Sequence, residues 1–183
     1  MPPVLVVRVR VTAKRFELAA LIALLLPAMS ASAQVIQAHT VLDFYRLLPD
    51  KFFEADKQQR IDWMLDRKRG AIVDNKNGYI FAPGDGAQSD LYLALFRKTD
   101  GRSVVVGVKH YAPDTQDITY LEFYVVGGNT WTEVTKSVMP VKISEHLKYD
   151  LPRHGRIIRV SNRRGRLLYY LIWSGERFRL RRQ

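Results

Sequence analysis

After residue 70 the hydrophobic periodicity changes from helical to strand-like and stays so to the end of the chain. Short apolar runs are separated by turn signals at Asp74-Asn75-Lys76-Asn77-Gly78, Pro83-Gly84-Asp85-Gly86, Thr99-Asp100-Gly101, Gly127-Gly128-Asn129, Arg163-Arg164-Gly165 and Ser174-Gly175. Asn-Gly and Asp-Gly pairs supply the left-handed backbone that tight hairpins require. The pattern predicts strands over residues 72–73, 79–81, 91–96, 103–108, 118–126, 131–134, 156–160, 166–173 and 177–180, with a helical turn at 143–147. Eight or nine short strands at this spacing predict an antiparallel meander that curls or partly closes into a barrel. Strand–helix–strand units are missing, which argues against a doubly wound nucleotide fold.

Two helices are expected ahead of the strands. Thr40 with Asp43 three positions on forms a capping-box pattern, and Val41, Leu42, Tyr45 and Leu48 follow at helical spacing up to Pro49. A second helix is predicted to start at Asp56, with Gln59 three residues later and Gly70 as its stop. The helices would cover one face of the sheet or plug one end. The predicted class is therefore α+β with β dominant, in one domain over residues 34–183.

The first 33 residues read as a secretory signal peptide. Arg8, Arg10, Lys14 and Arg15 form a positive stretch, residues 18–26 an uncharged apolar stretch, and Ala31-Ser32-Ala33 a cleavage motif before Gln34. The apolar stretch is shorter than the roughly 20 residues of a membrane span. An uncleaved anchor is the other reading. The implied location is periplasmic or secreted. The chain contains no cysteine, so a disulfide framework, a thiol nucleophile and a cysteine-ligated metal are excluded.

No catalytic motif is visible. There is no Gly-x-Ser-x-Gly elbow, no Ser-x-x-Lys and no phosphate-cradling glycine loop. His39, His110, His146 and His154 show no metal-ligand spacing, and His110, beside Tyr111 at the end of a Val-rich strand, is the first to inspect. Asp74-Asn75-Lys76-Asn77-Gly78 fails as a calcium loop, since Lys76 takes a ligand position and no terminal Glu follows. Asn-Gly chemistry explains that segment as a turn, and the same holds for Asp85-Gly86. Nothing asks for a metal or a cofactor. A carboxylate pair drawn from Asp62, Asp90 or Glu122 is the one arrangement that sequence spacing cannot display. Glu122, between Leu121 and Phe123 on a strand, is expected to face solvent.

Charge is the more informative signal. The whole chain holds 29 Lys and Arg against 18 Asp and Glu, a net of +11. Removing the leader, with four basic residues and Glu17, leaves +8, and residues 148–183 alone carry +9. Arg177, Arg179 and Arg181 alternate with Phe178 and Leu180, so a strand there buries the apolar pair and sets the arginines in a row in water. Arg156, Arg159, Arg163, Arg164 and Arg166 would extend the row into a basic patch. Such a patch suits a polyanion or membrane headgroups, and the same charges also suit a protected edge strand. Tyr169, Tyr170 and Trp173 lie on a strand apolar on both faces, which is expected to be buried centrally.

Leu48-Pro49-Asp50, Arg60-Ile61-Asp62-Trp63, and Phe123-Tyr124 with Trp131 resemble an uncharacterised exported family of Gram-negative bacteria, a domain of unknown function, over about residues 41–135. The resemblance implies an envelope location and a small globular domain, and carries no catalytic residue or ligand. The functional expectation is a non-enzymatic periplasmic module that binds an envelope protein or an acidic glycan through the basic C-terminal face. A hydrolase of an envelope polymer with a carboxylate pair is the alternative, and a structural or inhibitor-like module is a third. Nucleic acid is not expected as a partner, because no recognition helix or aromatic stacking motif is present.

Overall fold

The computed structural model describes residues 40–53, 56–84, 88–101, 103–112 and 117–182. The proposed leader and its cleavage site lie outside them, as do His39 and Asp85-Gly86. Helix α1 spans Val41–Leu47 and α2 spans Lys57–Leu65, with a 3-10 turn at Asp50–Phe52 between them. Strands β1 (Ile72–Asp74), β2 (Tyr79–Ala82), β3 (Asp90–Arg97), β4 (Val104–Ala112), β5 (Asp117–Gly127) and β6 (Thr130–Glu133) follow. A short helix α3 (Thr135–Val138) leads to β7 (Leu147–Asp150), β8 (Ile157–Asn162), β9 (Leu167–Trp173) and β10 (Phe178–Arg182).

The β-dominant antiparallel class holds, but the expected single curled sheet or barrel is replaced by two sheets. One runs β1-β2-β3-β4-β5-β6 and the other β10-β9-β8-β7, antiparallel throughout. The break has a local cause. Val134 N–H still donates to Phe123 O at 2.8 Å, and then α3 turns the chain off the sheet and buries Val138. The helical turn expected at 143–147 is not seen. Instead Leu147 begins β7, which brings the described strands to ten and in which Tyr149 is buried and Asp150 exposed.

The two leading helices start where expected, but helix placement differs from the expectation: α2 stops early, and α3 at Thr135–Val138 falls between β6 and β7, where no helix was expected. Thr40 and Asp43 make the full capping box, and Asp56 caps α2 by accepting from Gln59 N at 3.0 Å. Helix α2 ends at Leu65 rather than continuing to Gly70, because Asp66 leaves helical geometry and a 3-10 turn at Arg67–Arg69 completes the segment. Buried Arg60 donates to Pro83 O at 3.3 Å, Gln88 Oε1 at 3.0 Å and Ser89 O at 3.4 Å, which fixes α2 to the loop before β3.

The six-stranded sheet is covered on both faces, which explains why β3 and β4 are nearly continuous apolar runs. Leu91, Leu93, Val106 and Val108 pack under Val41, Tyr45, Leu48 and Phe52 of the helical layer. Ala94, Phe96, Val105 and Phe123 pack against Tyr149, Ile158, Leu171, Trp173 and Phe178 of the second sheet. Burying side chains of this size contributes about 1.5–3 kcal/mol each.

Polar links join the sheets at their ends. Trp173 Nε1 donates to Arg97 O at 2.8 Å, and Thr99 N donates to Gly175 O at 3.1 Å. Thr99 Oγ1 donates to Glu176 at 2.6 Å, and Lys98 lies 3.7 Å from the same carboxylate. Between the sheets, Lys109 is 7% exposed, with Nζ 3.2 Å from Tyr149 O and 3.9 Å from the centre of the Tyr92 ring. Burial draws its pKa down from 10.5 to about 8, although Asp150 and Asp90 pull the other way.

Candidate functional site

Strand alternation divides the second sheet into a packed face and an outer face. Ile158, Val160, Leu171, Trp173 and Phe178 point inward. The alternate residues Ile157, Arg159, Leu168, Tyr170, Ile172, Arg179 and Arg181 therefore share the outer face. The strand carrying Tyr169, Tyr170 and Trp173 is central in its sheet but buried on one side only. Tyr169 and Trp173 join the core, whereas Tyr170 lies on the opposite face and is half-buried.

Pairing register brings particular residues into rows. Asp150, Arg159, Tyr170 and Arg181 are direct partners across β7, β8, β9 and β10. Ile157, Ile172 and Arg179 form the next row. Neighbouring strands lie about 4.8 Å apart, so Arg159 and Arg181 flank Tyr170 at roughly 10 Å from each other. The Arg181 guanidinium carbon lies 5.4 Å from the centre of the Tyr170 ring, within cation–π range. Ile157 is 42% and Leu168 36% exposed, so the face mixes cations with accessible apolar surface.

The eight arginines of the predicted patch are not all in one place. Arg159, Arg179 and Arg181 are on this face. Arg177 and Arg156 are exposed at one end of it, beside the β9–β10 turn, where their carbonyls accept from Ser174 N and Trp173 N. Arg163, Arg164 and Arg166 are exposed in the β8–β9 turn at the opposite end. There the Asn162 side chain accepts from Arg166 N at 2.9 Å. The ends are separated by the six residues of β8, roughly 20 Å.

The three carboxylates of the hydrolase alternative sit on different elements. Asp62 is exposed on α2 and accepts from Gln58 at 3.0 Å. Asp90 opens β3 and accepts from Gly84 N at 2.8 Å. Glu122 is half-buried rather than solvent-facing, and the Tyr124 hydroxyl donates to it. Lys51 Nζ lies 3.3 Å from that hydroxyl. Burial, reinforced by the Glu122 carboxylate, pushes the Tyr124 phenol well above its usual range.

Glu122 does line a concavity that sequence reading missed. A groove of about 930 Å³ runs between β5 and the chain at 139–146, and Glu133 and Glu145 share it. No pattern along the chain announces this groove, because it arises from a gap in strand pairing.

His110 is buried and stacked on Tyr120 with ring centres 4.5 Å apart. His146 lies 3.7 Å from Glu145, and His154 is exposed. Asp74 accepts from Asn77 and, at 2.9 Å, from Arg153; these hydrogen bonds, Asn77 first, hold its carboxyl down to about 2. Among the described residues, no group of three His, Asp or Glu side chains is placed to hold a metal ion, and no helix is long and apolar enough to cross a membrane. No family model, curated protein or solved structure matches the chain.

Proposed function

We propose that the protein is an exported, non-enzymatic binding module that takes an acidic glycan of the cell envelope on the outer face of its four-stranded sheet. The observation that carries this reading is the row Arg159–Tyr170–Arg181. An edge strand protected against aggregation needs charge on the edge alone. Here the cations flank an aromatic ring on the central strand, beside exposed Ile157 and Leu168. A tyrosine ring gives a sugar a flat apolar surface, and guanidinium groups on either side bind carboxylate or phosphate bidentately. The carboxylate-pair alternative keeps only Glu122, which shares its groove with Glu133 and Glu145, because Asp62 and Asp90 do not line that groove.

The test is binding to polygalacturonate, a soluble polyuronate, followed by isothermal titration at low and high salt. Arg159→Gln, Arg179→Gln and Arg181→Gln together should weaken binding at least about tenfold, since charge-assisted hydrogen bonds contribute roughly 1.5–3 kcal/mol each. Tyr170→Ala should weaken it with the salt slope unchanged. Unaltered affinity in the triple variant would refute the proposal.

A further inference from the structure

The cations of the four-stranded sheet are not spread evenly about Tyr170. Strand β10 pairs with β9 so that Arg181 lies opposite Tyr170 and Arg179 opposite Ile172. One step further, Ser174 N donates to Arg177 O at 3.0 Å, which carries the ladder into the turn. Arg177, Arg179 and Arg181 are all exposed and recur at every second residue. They therefore stand in single file along one side of β9. Successive members are about 7 Å apart, twice the rise per residue of a strand. On the other side of β9, the outer face of β8 presents exposed Ile157, Arg159 and half-buried Ser161. Its one cation lies directly across from Asp150 of β7, an attractive pairing of opposite charges.

Between these flanks the outer surface of β9 is apolar and aromatic. Ile172 and Tyr170 are half-buried, and Leu168 is 36% exposed. Ser161 pairs with Leu167 and Val160 with Tyr169, so Leu168 is an extra residue on β9 with no partner on β8. The stretch from Ser174 to Leu168 measures about 20 Å, the length of roughly four sugar rings. Direction matters for a polyanion laid on this face. The row across the strands ends at one side in the Asp150 carboxylate and at the other in the sheet edge. Strands β8, β9 and β10, by contrast, contain no acidic residue. A negatively charged chain meets repulsion across the strands and none along them.

Building on the glycan reading, we infer that the acidic chain runs along β9, parallel to the strands, and that the site selects an unbranched glycan with acidic groups on successive sugars. The sugar rings lie over Ile172, Tyr170 and Leu168, and their carboxylates face Arg177, Arg179 and Arg181. Each guanidinium can bind one carboxylate through a pair of hydrogen bonds. Each added acidic sugar reaches a further arginine of the file, so affinity grows with chain length until the surface of β9 is covered. A disaccharide spans the Tyr170 row and stops short of Arg177. A flexible polyanion without rings gains the charge contacts but buries none of the apolar surface of β9.

The test is isothermal titration with galacturonate oligomers of two to six units, and with a polyphosphate of matched charge. Affinity should rise at least about tenfold from two units to four, as one further charge-assisted contact is made, and level off beyond five. Arg177→Gln should leave the two-unit ligand within about twofold and remove most of the gain at four units. Asp150→Asn should leave the four-unit ligand within about twofold, because that carboxylate lies two strands away from β9. Comparing lengths within each variant keeps the result independent of small changes in its stability. Equal affinity at two and four units, no effect of Arg177→Gln on the gain, or a marked strengthening by Asp150→Asn each overturns the direction along β9 and leaves the glycan reading standing. Polyphosphate binding as tightly as the four-unit oligomer overturns the role of the sugar rings. Failure of every oligomer and of polygalacturonate to bind removes both readings.

Discussion

Replacing Lys109 by Met tests the reading of the layer between the two sheets. Lys109 is held among Tyr92 and Tyr111 on neighbouring positions, with the Tyr149 carbonyl below it. Asp90 on β3 and Asp150 on β7 favour its charge, yet burial outweighs them and lowers the pKa from 10.5 to about 8. A shift of that size corresponds to about 3 kcal/mol of preference for the neutral amine in the fold. Methionine has similar length and no charge, so it removes this preference. It also loses the hydrogen bond to Tyr149 O, about 1 kcal/mol. The expected net gain near pH 7 is about 2 kcal/mol.

The gain should depend on pH with a definite sign. Between pH 8 and 10.5 the unfolded chain keeps the Lys109 proton while the folded protein has lost it. The unfolded state then binds more protons, so wild-type stability rises with pH through this window. Below pH 8 both states are charged and the full penalty applies. Tyr79, Tyr92 and Tyr169, all raised by burial, act in the opposite direction above their ordinary range, and they are present in both proteins. The difference between wild type and variant therefore isolates Lys109. Urea unfolding at pH 7, 8, 9 and 10 measures it, with an expected midpoint increase near 1 M at pH 7 that shrinks towards pH 10. A variant that is less stable at pH 7, or a difference that stays constant across the series, would show that Lys109 is not strained by burial.

Gly107→Ala should destabilise the fold by about 1–2 kcal/mol in thermal or urea unfolding, because a Cβ there meets Phe123 at 3.0 Å and Phe96 at 3.3 Å within a packed aromatic cluster. The gain from reduced freedom of the unfolded chain, about 0.4–1 kcal/mol, offsets only part of this. Gly175→Ala should destabilise by about 2–3 kcal/mol, since Gly175 has φ +100° and an added Cβ falls 2.4 Å from Thr99 Cγ2. Adding Thr99→Ser to that variant removes the clashing methyl and keeps the hydroxyl on Glu176, so it should recover part of the loss but leave the backbone strain.

What could be read in advance was what is decided within a few residues. The capping box needs only Thr40 and Asp43, and it formed as expected. The alternation at Arg177, Phe178, Arg179, Leu180 and Arg181 fixes which side chains face water once a strand is granted. The division into two sheets was not legible, because it depends on which edge the chain rejoins after Val134. A four-residue helix and the Thr135 hydroxyl decide that. Strand β7 was hidden for a related reason: Leu147, Lys148, Tyr149 and Asp150 alternate too briefly to exclude a helical turn. For the candidate sites, outward arginines could be foreseen. Their placement around Tyr170 could not, because it requires the register of three strands.

Every hydrogen-bonded neighbour in both sheets is also the next strand in the sequence. Such a chain can assemble as a zipper, each hairpin closing beside the one just made, with small loops and little entropy lost at each step. The late, demanding event is then the meeting of two separately formed sheets through the segment that joins β6 to β7. A break in that segment divides the molecule between its sheets without unthreading either, so two chains ending and starting there should find each other and restore one folded body.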